Sequence, residues 1–285
     1  MALFVSDSIS VLIKTGAKQL MSVSDSAKLD IRLLLSFVLN KPTSYLLTWP
    51  DEKLTEQEFS QFHSLFEQRL TGKPIAYLIG YKEFWSLNFK VSTATLIPRP
   101  DTEVLVETVL TNHVQTRLTC LDLGTGTGAI ALALASERND WQIEGVDFQN
   151  EAVVLAQTNA QRLDLSQVDF YQSDWFSAID KTKKFNVIVS NPPYIDALDE
   201  HLNQGGVQFE PKTALIAHKK GFADIEKIIL TSIAYLAKSG WLYFEHGFEQ
   251  STGVQCLFAD NGFSQIKTIK DYNGNDRVTY ACYNG

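Results

Sequence analysis

Cysteine is scarce in this chain. Cys120, Cys256 and Cys282 are scattered through 285 residues, an odd number at spacings that match neither a disulfide framework nor a zinc site. The expectation that follows is a reducing, cytoplasmic setting. The histidines His63, His113, His201, His218 and His246 lack a ligand spacing such as His-Glu-x-x-His, so no metal is expected. Long apolar runs are missing as well. Nothing approaches the roughly 20 residues that cross a bilayer. Met1–Asp7 has no basic segment ahead of its short apolar stretch, so neither a membrane partner nor a signal peptide is expected. Positive charge is thin too. The net charge is −8; the first 95 residues carry 10 basic and 9 acidic groups, and the remainder carries 15 and 24. Sequence-independent nucleic-acid binding draws on dense Lys/Arg surface. The densest clusters here, Lys181-Lys183-Lys184 and Lys219-Lys220, read as solvated faces. A protein substrate fits this balance better than a nucleic acid does.

The chain does have ample apolar content, 45%, enough for a substantial core. Residues 1–83 read as short helices. Apolar stripes run through Ile9, Leu12, Ile13 and Leu20, through Leu29, Leu33, Leu34 and Phe37, and, behind a Thr55-x-x-Glu58 capping box, through Phe59, Phe62, Phe66 and Leu70. Residues 84–97 change character. Phe84–Val91 partly alternates, and Thr95–Pro98 is expected to return as its hairpin partner, a β-hairpin linker. From residue 98 a further domain is expected, running to 285. After residue 118 strands alternate with helices: strands at 118–123, 141–147, 168–172, 185–190 and 240–245, helices at 129–137, 150–163 and 223–236, and a closing hairpin of 263–270 with 277–283. Such alternation predicts an α/β fold, a mostly parallel sheet with helices on both faces.

Ligands bind beyond the carboxyl ends of such strands, and four features fall there. Gly124-Thr125-Gly126-Thr127-Gly128 follows the first strand; glycines let the backbone turn tightly and approach a ligand closely. Gly124-x-Gly126-x-x-Ala129 also meets the relaxed dinucleotide fingerprint, so the loop alone admits either a nicotinamide cofactor or S-adenosylmethionine. Asp147 ends the second strand, where a carboxylate can accept from both ribose hydroxyls. Ser173-Asp174-Trp175 follows the third, with an indole placed to flank an adenine. The fourth strand runs into Asn191-Pro192-Pro193-Tyr194. A residue before proline is held extended, and proline has no N–H. The Asn191 side-chain oxygen and the proline carbonyls are therefore acceptors with no ladder partner. Two acceptors side by side can take both protons of a planar –NH₂ group, and the Tyr194 ring can stack on it. This tetrad favours methyl transfer to an amide or amine over hydride transfer.

At these residues the chain resembles a known family. Asp122–Ala135 is similar to the cofactor motif of the PrmC/HemK methyltransferases. The likeness extends through Pro74–Gly80, Leu96-Ile97-Pro98-Arg99-Pro100-Asp101-Thr102-Glu103, Ser173–Phe176, Asn191–Tyr194, Phe209-Glu210-Pro211 and Asp276-Arg277-Val278. The resemblance implies a class I S-adenosylmethionine-dependent methyltransferase fold, Rossmann-like, with a mostly parallel seven-stranded sheet ending in an antiparallel hairpin. It also implies a small N-terminal helical bundle that recognises substrate. The implied activity is methylation of the glutamine amide in the Gly-Gly-Gln motif of class 1 peptide chain release factors. Gly124–Gly128 would hold the methionine part of the cofactor, Asp147 the ribose and Trp175 the adenine. Asn191 would lie between cofactor and substrate, with Pro192, Pro193 and Tyr194 completing the amide site. Two segments depart from the pattern: 221–228 lacks an expected Tyr-Arg pair, and His246 stands where an aliphatic residue is usual. A glutamine methyltransferase acting on a ribosomal protein and a DNA adenine N6-methyltransferase are the alternatives.

Overall fold

The computed structural model describes residues 3–285, apart from the side chain of Asn203. The chain divides into two compact units. One comprises the chain up to Tyr81 together with Glu200–Phe209; the other comprises Lys82–Asp199 and Glu210–Gly285.

The first unit is helical: α1 (Ile9–Leu20), α2 (Ala27–Leu39), α3 (Tyr45–Thr48), α4 (Glu56–Leu70) and α5 (Ile75–Ile79). Its apolar stripes form one core, in which Ile9, Leu12, Leu20, Ile31, Leu34 and Phe62 are fully buried, each contributing about 1.5–3 kcal/mol relative to exposure. The capping box of α4 is formed: Thr55 Oγ1 accepts from Glu58 N at 3.3 Å, and the Glu58 carboxylate accepts from Thr55 N at 2.8 Å. Arg69 donates to the buried Asp30 carboxylate at 2.9 Å, and Ser24 and Ser26 also donate to that carboxylate.

A hairpin follows, β1 (Tyr81–Phe84) and β2 (Leu87–Lys90), which belongs to the second unit from Lys82 on. This corrects the expected pairing of 84–91 with 95–98. Trp85 and Ser86 both have left-handed backbone, φ 50° and 57°, the signature of a two-residue hairpin turn. The usual Asn-Gly signal is missing. The turn is held instead by Trp85, whose N–H donates to Glu103 Oε1 and whose indole donates to Glu137 Oε1, both at 2.9 Å. Residues 95–98 form no strand.

Then follow α6 (Glu103–Asn112), β3 (Thr119–Leu123), α7 (Ala129–Glu137), β4 (Gln142–Asp147), α8 (Asn150–Arg162), β5 (Asp169–Gln172) and β6 (Phe185–Ser190). Next come the short β7 (Ile195–Asp196) and β8 (Ile216–Ala217), then α9 (Ala223–Ser232), β9 (Leu236–Glu245), α10 (Ser251–Asp260), β10 (Phe263–Lys270) and β11 (Asp276–Tyr283). Seven strands form one sheet in the order β10-β11-β9-β6-β3-β4-β5. β11 runs antiparallel to β9 and β10; the pairs from β9 to β5 are parallel. Helices cover both faces, α6, α7 and α8 packing one core and α9 and α10 the other. Helix 223–236 ends four residues earlier than its periodicity predicts, because Leu236 is taken into the sheet opposite Phe185. A register shift and the left-handed Ser239 (φ 57°) then re-align the strand before Trp241, as a β-bulge does. The parallel strands β3, β4 and β6 end at one edge, where Leu123 pairs with both Val146 and Ser190. That edge carries the site.

Candidate active site

The first wall of the site is the glycine loop. Gly124, Gly126 and Gly128 take φ of 72°, 55° and 81°, a region open to glycine at little cost. The loop is tied down by its own donors. Gly124 N and Thr125 N both donate to Val146 O at 2.9 Å. Gly126 N donates to Asp147 Oδ2 at 2.9 Å. Behind the loop, the fully buried Asp122 accepts from Thr125 Oγ1 at 2.7 Å and from Ala131 N at 3.3 Å; among the described residues its Oδ1 has no hydrogen-bond partner. Burial pushes the Asp122 carboxyl up to about 7 and raises that of Asp147, since a desolvated carboxylate is costly. The buried Asn159 of α8 donates to Thr127 O at 2.9 Å and bonds both backbone groups of Lys90. These bonds hold the loop from behind.

The second wall is the tetrad. Ser190 Oγ donates to Leu123 O at 2.8 Å, joining the end of β6 to the root of the glycine loop. Asn191 Nδ2 donates to Thr102 Oγ1 at 3.3 Å. Among the described residues, neither Asn191 Oδ1 nor the Pro192 carbonyl accepts a hydrogen bond. Tyr194 Oη donates to Glu245 Oε1 at 3.3 Å, and burial next to that carboxylate raises the Tyr194 pKa. The Tyr194 carbonyl accepts from Gln250 Nε2 at 3.0 Å. Gly221 approaches the same carbonyl so closely that a Cβ there would lie 2.1 Å from the oxygen, and its φ is 86°.

Between the walls lies a cavity of about 160 Å³. Of the residues singled out in the sequence, Gly124, Thr125, Gly126, Thr127, Asp147, Trp175, Asn191 and Pro193 line it. Gly128, Pro192 and Tyr194 are not among its lining residues; Gly128 caps the start of α7. Thr95, Leu96, Pro98, Arg99 and Thr102 complete the lining on another side. Four of these five lie in the Leu96–Glu103 segment, whose sequence alone points to no role at the cavity for any of them. That segment is pinned by the buried Glu210, which accepts from Ile97 N at 3.1 Å and pairs with Arg99. Phe148, 64% exposed beside Asp147, also lines the cavity; an aromatic directly after the strand-ending acid was its signal. Among the described residues no group of His, Cys, Asp and Glu is arranged to hold a metal, and no helix is long and apolar enough to cross a membrane. His246 is fully buried. Its Nδ1 donates to Gly247 O at 2.8 Å, so Nε2 accepts from Thr279 Oγ1 at 2.7 Å, a tautomer assigned from the network. Burial lowers its pKa, and it stands as a structural histidine.

A mostly parallel sheet with a glycine loop and an Asn-Pro-Pro-Tyr tetrad at one edge defines a methyltransferase, and residues 100–208 match the family model of the methyltransferase small domain. Residues 12–80 match the PrmC N-terminal domain. The chain is 50% identical over 273 residues to the release factor glutamine methyltransferase of Aliivibrio fischeri, covering 95% of this chain and 96% of that one. It is 49% identical over 280 residues to the one of Vibrio cholerae, covering 98% of each. It belongs to the release factor glutamine methyltransferase family. The crystal structure of a methyltransferase from Pyrococcus furiosus, 19% identical, aligns over 77% of this chain and 97% of that one with a TM-score of 0.54, a likeness of fold.

Proposed function

We propose that this enzyme transfers a methyl group to the side-chain amide nitrogen of the glutamine in the Gly-Gly-Gln motif of class 1 peptide chain release factors, in the cytoplasm. The observation that carries the reading is a pair of acceptors, Asn191 Oδ1 on the lining of a glycine-walled cavity and the Pro192 carbonyl next to it in the chain, neither of which accepts a hydrogen bond among the described residues. A carboxamide nitrogen is a poor nucleophile because its lone pair is delocalised into the carbonyl. Accepting both of its N–H groups orients the nitrogen and stabilises the positive charge that develops on it, a contribution made mainly in the transition state. Pro193 and the ring of Tyr194 complete the plane-binding site. The proton leaves to water once the C–N bond has formed.

The first wall suits S-adenosyl-L-methionine, a cationic nucleoside. Gly124 has no side chain to separate it from Trp175, whose ring would lie 3.5 Å from a Cβ there, and the cavity carries the carboxylate of Asp147. Gly124, Thr125, Gly126, Thr127 and Gly128 would hold the methionine part, Asp147 the ribose and Trp175 the adenine side, with Asn191 between cofactor and substrate. The bound cofactor supplies a methyl group activated by its sulfonium.

We assign recognition of the protein substrate to the helical segment 1–83, joined through 84–97 to the catalytic part, 98–285. A groove in the helical unit supports this: Lys14, Lys18, Lys28 and Arg32 line it with a single acid, Asp25, a surface suited to acidic protein. The test is incubation with a purified release factor and methyl-labelled cofactor, followed by peptide mass spectrometry. Label on the glutamine of Gly-Gly-Gln is expected. Label confined to a ribosomal protein or to DNA would overturn the assignment.

A further inference from the structure

The acceptors at Asn191 and Pro192 serve only at a fixed place beside the cavity, and two segments of chain settle that place. The first holds the tetrad through a side chain: Asn191 Nδ2 donates to Thr102 Oγ1 at 3.3 Å. Thr102 ends a short 3₁₀ turn, Pro100–Thr102, and its N–H donates to Arg99 O at 3.1 Å. The place of Thr102 therefore follows that of Ile97 and Arg99. The second segment continues the tetrad along the chain. Tyr194 runs into β7, Ile195 N donates to Leu215 O at 3.0 Å, and β7 pairs with β8. Ahead of β8 lies another 3₁₀ turn, Lys212–Ala214, in which Ala214 N donates to Pro211 O at 3.0 Å.

The two segments meet at Glu210, whose side chain is 1% exposed. Its oxygens are divided between two donors: Oε2 accepts from Ile97 N at 3.1 Å, and Oε1 pairs with Arg99. Both segments also line the cavity, one with Leu96, Pro98, Arg99 and Thr102, the other with Thr213 and Ala214. The bonds close a ring. It runs from Asn191 to Thr102, back along the chain to Arg99 and Ile97, across to Glu210, and through β8 and β7 to the tetrad. Opened at Glu210, the ring would leave the two ends of the tetrad tied to segments that no longer hold each other.

We infer that Glu210 is a positioning residue that fixes the Asn191–Tyr194 tetrad from both ends and so sets the rate of methyl transfer. This inference rests on the reading of Asn191 given above. The chemistry at Glu210 calls for a carboxylate. Two donors at one buried point need two acceptor oxygens, whereas a glutamine offers one and turns an NH₂ toward the other donor.

The test compares Glu210→Gln, Asn191→Ala and the Asn191→Ala/Glu210→Gln double variant. The readouts are kcat and KM for a release factor and Kd for S-adenosylhomocysteine, normalised to the folded fraction. In Glu210→Gln, kcat is expected to fall about 10- to 100-fold, the scale of a small misplacement of a catalytic group. KM and Kd should stay within about threefold, the pattern of a loss confined to the transition state. A merely structural residue would lower stability and leave that split unmade. In the double variant, kcat should lie within about threefold of Asn191→Ala alone, because the group being positioned is already gone. Wild-type kcat in folded Glu210→Gln, a Kd weakened as much as kcat, or multiplying losses in the double variant would each overturn the inference. Should Glu210→Gln fail to fold, Glu210→Asp, which keeps the charge but is one methylene short, is measured in the same way and decides. If Asn191→Ala loses turnover and the Glu210 variant does not, the positioning role alone fails. If Asn191→Ala keeps turnover, the site reading beneath it fails too.

Discussion

The two walls of the cavity are built from opposite chemistry. The glycine loop is a row of N–H donors whose partners are already in place: Val146 O takes two of them, and the Asp147 carboxylate takes Gly126 N. The tetrad is a row of acceptors: among the described residues Asn191 Oδ1 and the Pro192 carbonyl accept no hydrogen bond, while Asn191 Nδ2 is taken by Thr102 and the Tyr194 hydroxyl by Glu245. The difference teaches which wall binds and which wall reacts. A wall whose N–H groups at Gly124, Thr125 and Gly126 are bonded from behind presents a fixed shape and a buried carboxylate to a cationic cofactor. A wall with open acceptors waits for a group carrying two protons.

The variant expected to do most damage is Gly221→Ala, which attacks the tetrad from outside. Its Cβ would have to share space with the Tyr194 carbonyl at 2.1 Å and sit at φ 86°. A loss of about 2–4 kcal/mol in unfolding free energy is expected, from overpacking and left-handed strain together. Activity should collapse in whatever fraction folds. Denaturant unfolding and turnover check both, and a fully stable, active variant would show that the tetrad is held less rigidly than its packing implies. Asp147→Ala acts on the other wall. It frees Gly126 N and removes the cavity carboxylate, so cofactor affinity is expected to fall about 10- to 100-fold by calorimetry, with kcat at saturating cofactor nearly kept.

The smallest effect concerns pH. Burial holds the Asp122 carboxyl at about 7, above its ordinary 3.8. A carboxyl raised on folding stabilises the protein fully below about pH 4, and this contribution is lost as the pH rises through about 7. A cationic cofactor favours the ionised form, so affinity should instead rise a few-fold across the same window, roughly pH 6 to 8. His113, lowered to about 4 by burial, works the opposite way on stability, losing its contribution as the pH falls from about 6.5 toward 4. Asp122→Asn is expected to flatten the affinity profile. An unchanged profile would remove Asp122 from the cofactor side.

The pattern that builds this sheet is plain in the chain because a buried parallel strand needs a nearly continuous apolar run: Val187–Val189 supplies one, and Cys120, Leu121 and Leu123 another, interrupted by Asp122. The glycine loop and tetrad were plain because few residues can do what Gly128 and Pro192 do. The hairpin was misplaced because Trp85 and Ser86 make a left-handed turn without turn residues, held by Glu103 and Glu137 far along the chain. Helix 223–236 was overlong because sheet pairing at Leu236 outweighs local periodicity. Thr102 and Glu245 carry ordinary sequence signals; only the long-range contact that brings them behind Asn191 and Tyr194 gives them meaning. Glu210 is the same kind of residue, separated by more than a hundred positions from the Ile97 amide it holds.

The separation of binding wall from reacting wall is tested most directly by one preparation of Asn191→Ala, assayed for methyl transfer to a release factor and for S-adenosylhomocysteine binding. Turnover is expected to drop by at least about 10²-fold, the scale of losing a group that stabilises transition-state charge, while Kd stays within about threefold of wild type. Turnover near wild type, or turnover and binding lost together in a folded protein, would contradict it.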